Sequence, residues 1–81
     1  MSSRRHELRL PELGLDAVAI TVSCWLVPEG CRVFEGDRLL EVLAGEVTVD
    51  LAAPATGVLT QRQVEEDDTL VTGQLLGIIE S

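Results

Sequence analysis

Apolar residues along this chain fall in short groups separated by turn chemistry, and no window of about 12 residues sustains the i, i+3, i+4 spacing of an amphipathic helix. From Leu8 onward, Gly, Pro or Asp returns every 8–12 residues between groups rich in Val, Leu and Ile, the pattern of successive short β-strands. The spacing predicts strands near 7–11, 18–27, 32–35, 38–43, 46–51, 57–64, 69–72 and 75–80. Turns fall at Pro28-Glu29-Gly30, Glu35-Gly36-Asp37, Ala44-Gly45, Ala53-Pro54 and Glu66-Asp67-Asp68. The fold class is therefore all-β. Residues 1–7 are polar and aperiodic and read as a flexible leader, with one domain over 8–81.

Candidate core residues are Leu39, Leu40, Val42, Leu43, Val47, Val49, Leu51, Val58, Leu59, Leu70, Leu75, Leu76, Ile78 and Ile79, with alternate members of each strand turned inward. Trp25 is expected to fill space between sheets or against the first strand, since Phe34 is the only other aromatic. An internal repeat organises the chain. Glu29-Gly30-Cys31-Arg32-Val33-Phe34-Glu35-Gly36 returns in type as Glu66-Asp67-Asp68-Thr69-Leu70-Val71-Thr72-Gly73. With one residue deleted after the glycine, Leu39-Leu40-Glu41-Val42-Leu43 matches Leu75-Leu76-Gly77-Ile78-Ile79. Two such halves imply a pseudo-twofold sandwich or flattened barrel whose halves bury one shared face.

Composition narrows the chemistry. Against 14 acidic residues stand 6 bases, all Arg, giving a formal charge of −8 with no lysine anywhere. Such a surface repels phosphate backbones and excludes a nucleic-acid module, while it suits a basic or neutral protein partner. At 81 residues the chain supports one core and no two-domain cleft. No apolar run is long enough to cross a bilayer or serve as a signal peptide, so membrane insertion is not expected and the reading is cytoplasmic. Cys24 and Cys31 are too few for a disulfide scaffold, and with His6 as the only further soft donor they cannot make a zinc site. Cys31 is expected to be exposed. His6 is also the only imidazole, and it lies in the leader, so no catalytic residue is assigned. Glu65-Glu66-Asp67-Asp68 reads as a solvated turn.

Several blocks stand in an order that points to a family: Leu10-Pro11-Glu12-Leu13-Gly14, Trp25-Leu26, Glu29-Gly30-x-Arg32-Val33, Leu39-Leu40-Glu41-Val42, Thr48-Val49-Asp50, Pro54-Ala55-x-Gly57-Val58-Leu59 and Leu75-Leu76-x-Ile78-Ile79. Over residues 8–80 they resemble the lipoyl domain of 2-oxo acid dehydrogenase acyltransferases, the dihydrolipoamide acyltransferases, and its biotinyl relatives. The resemblance implies a flattened β-barrel of two antiparallel sheets, a barrel-sandwich hybrid with pseudo-twofold symmetry. It also implies a cofactor attached to a lysine at the tip of an exposed hairpin, in an Asp-Lys-Ala context between Leu-Glu-Val and Thr-Val-Glu. Laying Leu40-Glu41-Val42 and Thr48-Val49-Asp50 on that pattern puts Gly45 at the Asp and Glu46 at the lysine, on the tip Ala44-Gly45-Glu46-Val47.

A carboxylate cannot supply the nitrogen of the amide that joins lipoate or biotin. The only amine in the chain is its N-terminus, about 45 residues from the tip. The expectation is a carrier-shaped domain with no cofactor, no catalysis of its own, and an interaction or structural role. It would be monomeric in isolation, with a protein partner for which a 2-oxo acid dehydrogenase component is the candidate. Two alternatives are a scaffold module like those of membrane-fusion adaptors, and one domain of a longer acyltransferase whose competent lipoyl domain lies elsewhere.

Overall fold

The computed structural model describes residues 4–14 and 18–81. Its strands are β1 (Arg5–Arg9), β2 (Ile20–Trp25), β3 (Arg32–Val33), β4 (Arg38–Ala44), β5 (Val47–Ala52), β6 (Gly57–Arg62), β7 (Thr69–Leu70) and β8 (Leu75–Glu80). They form two four-stranded sheets, ordered β1-β8-β6-β3 and β5-β4-β2-β7, with every pairing antiparallel. The all-β, flattened barrel-sandwich architecture is the one expected. β1 begins earlier than the sequence suggests, inside the segment read as a leader. Arg5, His6 and Glu7 pair with Glu80, Ile79 and Ile78, and Arg4 and Ser81 exchange backbone hydrogen bonds. A polar segment becomes a strand here because β8 satisfies its backbone groups.

The interior is aliphatic, with no buried polar or charged side chain among the described residues. β4 shows the alternation that builds it: Leu40, Val42 and Ala44 are buried while Glu41 and Leu43 face outward. Two core expectations fail at the hairpin end: Leu43, 37% exposed, lies on the outer face of β4 between buried Val42 and Ala44, and Val47, 55% exposed, sits in the last pair before the turn. Val49, Val58 and Leu75 are half-buried. In exchange the core takes in Leu8, Leu10, Ile20, Val22, Val33, Ala44, Ala53 and Val64.

The pseudo-twofold symmetry extends to individual hydrogen bonds at a constant offset of 37 residues. Val22 exchanges backbone bonds with Asp67 and Asp68, and Leu59 does the same with Gly30 and Cys31. Leu26 N donates to Leu39 O, and Gln63 N donates to Leu76 O. Leu39 is therefore the mate of Leu76 and not of Leu75, so the deletion inferred from the repeat does not exist. What hid this is the Leu-Leu pair common to both segments, Leu39-Leu40 and Leu75-Leu76; the halves instead share matching register shifts, between Arg38 and Leu40 and, on the β8 side, between Leu75 and Gly77. The same shift recurs between Val22 and Cys24 in β2 and between Leu59 and Gln61 in β6.

The halves also exchange straps. Ala53 donates to and accepts from the turn at Gly36-Asp37, and Leu10 does likewise at Gly73-Gln74. Each half thus closes on a residue delivered by another part of the chain.

Candidate functional site

The β4–β5 hairpin carries the residues singled out from the sequence. Its arms pair from Arg38↔Ala52 to Ala44↔Val47, leaving Gly45 and Glu46 as a two-residue connection. Gly45 has φ of 62°, the left-handed conformation that such short hairpin turns require and that costs glycine little. Its N–H reaches the Ala19 carbonyl at 3.4 Å, and a Cβ placed there would lie 3.0 Å from Val18 Cγ1. The turn is thereby held against the segment entering β2. Glu46 is exposed and makes no ion pair or side-chain hydrogen bond among the described residues. Around it Leu43, Val47 and Val18 present partly exposed aliphatic surface.

The remaining candidates are dispersed. His6 sits in β1, with Nε2 3.3 Å from Ser81 Oγ, at the end where the first and last strands meet. Cys24 and Cys31 are free thiols, and Cys31 is half-buried, not exposed. The Cys31 thiol donates to the Arg32 carbonyl at 3.4 Å, which draws it against the backbone. Cys24 Sγ lies 3.8 Å from Glu41 Oε2, whose stronger donor is Ser23 Oγ at 2.7 Å. No group of three or more His, Cys, Asp and Glu side chains among the described residues is placed to hold a metal ion. Glu65, Glu66, Asp67 and Asp68 are all exposed, with Glu65 N donating to Asp68 Oδ2 across the turn.

Trp25 differs from its expected place in the core. Its ring is half-buried at the margin of the apolar cluster, its Nε1 donates to the Val64 carbonyl at 2.8 Å, and the Arg62 guanidinium lies 5.8 Å from its centroid. Trp25 and Arg62 are mates under the 37-residue repeat. Their meeting places the symmetry axis between them, so the hairpin tip, beside Ile20 of β2, lies on one side of the middle. The chain ends, beside Val58 of β6, lie on the other.

Two interlocked four-stranded sheets with an exposed hairpin at one end define a class of small attachment domains. The family model described as biotin-requiring enzyme matches residues 6–79, and the chain belongs to this biotin/lipoyl family. Among curated relatives, it is 34% identical over 77 residues to the dihydrolipoyllysine-residue acetyltransferase component of the acetoin cleaving system of Pseudomonas putida, covering 95% of this chain and 21% of that protein. It is 32% identical over 76 residues to the lipoamide acyltransferase component of the branched-chain alpha-keto acid dehydrogenase complex of Bacillus subtilis (strain 168), covering 94% and 18%.

The chain thus spans about a fifth of the length of these relatives. Among solved structures, the lipoyl domain of the 2-oxoglutarate dehydrogenase complex from Azotobacter vinelandii superposes with a TM-score of 0.72 at 24% identity, covering 93% of this chain and 94% of that one, and shows the shared fold. A single-chain, multi-domain long-chain acyl-CoA carboxylase gives 0.75 at 26% identity over 91% of this chain and 7% of its own. The chain is a lipoyl-domain-like protein of the kind found in acyltransferase components.

Proposed function

We propose that this domain keeps the shape of a lipoyl or biotinyl carrier but bears neither group. The observation that supports the reading is Glu46 at the exposed turn of the β4–β5 hairpin, in a sequence with no lysine. The donor chemistry at the tip does not fit the family's cofactors: amide formation needs an amine, and Glu46 offers a carboxylate in an already acidic chain. No step through lipoate or biotin is therefore assigned to it. The domain would act by docking, without chemistry of its own, on a protein partner. The names of its acyltransferase relatives make a 2-oxo acid dehydrogenase component the first candidate.

A second reading, one domain of a longer acyltransferase, is favoured by the small share of each relative that the chain covers. Coexpression with a lipoate ligase, and separately with a biotin ligase, followed by intact mass spectrometry, tests the central claim. The expected mass is that of the unmodified chain, and any ligase-dependent addition overturns the reading. Retention of a dehydrogenase component on the immobilised domain would support the docking role, and its absence from the eluate would remove that candidate partner.

A further inference from the structure

Halfway between the hairpin tip and the chain ends, an open groove of about 590 Å³ lies where the two halves of the repeat meet. Trp25, Glu29, Arg62, Val64, Glu65 and Glu66 line it. The groove combines symmetric and asymmetric elements. Glu29 and Glu66 are mates under the repeat and stand on the two acidic turns, while Trp25 and Arg62 are mates of opposite character. The indole fits because Gly77, the mate of Leu40, leaves room: a Cβ on Gly77 would lie 3.2 Å from Trp25 Cη2.

Two observations bear on what the groove takes. First, its aromatic wall already faces a cation, since the Arg62 guanidinium lies 5.8 Å from the Trp25 centroid, within the range in which an indole face attracts positive charge. Second, Glu29, Glu65 and Glu66 form no ion pair with any described residue. Glu29 uses one oxygen to accept the Arg62 backbone N–H at 2.8 Å, which fixes the carboxylate at the rim and leaves its charge uncompensated. Three carboxylates and one indole therefore surround a single guanidinium that no carboxylate holds.

We propose that this groove captures a basic side chain, arginine above all, from an extended segment of a partner protein. The incoming guanidinium would take the Trp25 face from Arg62 and stand within reach of Glu29, Glu65 and Glu66. A planar guanidinium both stacks on an aromatic face and presents donors to carboxylates in a fork, which an ammonium does less well. The formal charge of −8 steers a basic segment toward the domain and excludes nucleic acid as the occupant. The site does not depend on the hairpin tip or on whether that tip carries a cofactor.

Trp25 is the only tryptophan in the chain, so its fluorescence reports on the groove directly. A hexa-arginine amide titrated into the domain at low salt should change the emission saturably, with hexalysine binding more weakly. The Glu65→Gln/Glu66→Gln double variant should bind roughly five- to tenfold more weakly, as two partly exposed charge pairs allow. A Glu35→Gln/Glu46→Gln variant carries the same charge change away from the groove and should shift binding by less than about twofold. Arg62→Ala should tighten binding, because it removes the internal competitor for the indole face. Absence of a saturable change up to about 1 mM peptide overturns the proposal. So does equal weakening by the distant pair, which would mean attraction to overall charge alone, or weakened binding in Arg62→Ala, which would make Arg62 a support of the groove.

Discussion

Gly45 and Glu46 are neighbours with opposite constraints. Glu46 is exposed and its side chain has no partner among the described residues, so Glu46→Lys should change stability by no more than about 0.5 kcal/mol in urea unfolding. If the hairpin keeps a carrier's shape, the same variant should gain a ligase-dependent mass that the parent lacks, whereas an unmodified Glu46→Lys would show that Gly45 in place of the family's Asp spoils recognition. Gly57 is constrained by close approach, not by φ. A Cβ there would collide with the Glu80 carbonyl oxygen and lie 2.8 Å from its carbon and 3.0 Å from Ile79 Cγ2. Backbone cannot rotate away, so Gly57→Ala should cost about 1–3 kcal/mol, read as a lower urea midpoint with unchanged slope. The turn glycine was legible from its place in a short connection. The crowding at Gly57 was not, because β8 approaches it from more than 20 residues away in sequence.

At the level of elements, the repeat makes a quantitative expectation possible. The turns after β3 and β7 are closed by mates: Asp37 Oδ2 accepts from Phe34 N at 2.8 Å, and Gln74 Oε1 accepts from Val71 N at 2.9 Å. Asp37→Ala and Gln74→Ala should each cost about 0.5–1.5 kcal/mol, and the double variant should equal the sum within about 0.5 kcal/mol because they share no partner. A large coupling in chemical denaturation would show that the two turns form one unit. All eight strands were anticipated from alternation and turn residues, since that information is local. β1 was placed too late because Arg5-His6-Glu7 has no apolar signature and owes its extended form to β8. Val47 was assigned to the core because alternation gives a strand's face but not where its cover ends, and Leu43 because the run Val42-Leu43-Ala44 is apolar on both faces. The groove escaped notice although its signal was present: an offset of 37 makes Trp25 the mate of Arg62 and Glu29 the mate of Glu66, and mates meet near a twofold axis.

For the molecule as a whole, charge and core act separately. Among the described residues the core holds no polar or charged side chain, so side-chain electrostatics enter at the surface, in a chain of formal charge −8. Two ion pairs occur among the described residues, Arg9–Glu7 at 3.1 Å and Arg38–Asp50 at 3.6 Å, and both are solvent-exposed. Such pairs contribute about 0–1 kcal/mol each, less at high salt. Repulsion among the excess carboxylates is therefore the larger surface term, and it opposes the compact state. Raising NaCl from about 20 mM to about 0.5 M shortens the screening length to a few ångströms and should stabilise the domain. The expected gain is about 1 kcal/mol, a rise of roughly 4–8 °C in Tm for a domain of this size by circular dichroism. The Glu35→Gln/Glu46→Gln variant should melt higher than the parent at low salt and respond less to NaCl, which distinguishes screening from a general effect of salt on apolar burial. A Tm that falls as NaCl rises would mean that attractive pairs outweigh the repulsion. The same titration should weaken capture of hexa-arginine at the Trp25 groove, because there salt screens an attraction. One reagent thus moves fold stability and binding in opposite directions, so weaker binding at high salt cannot be attributed to partial unfolding.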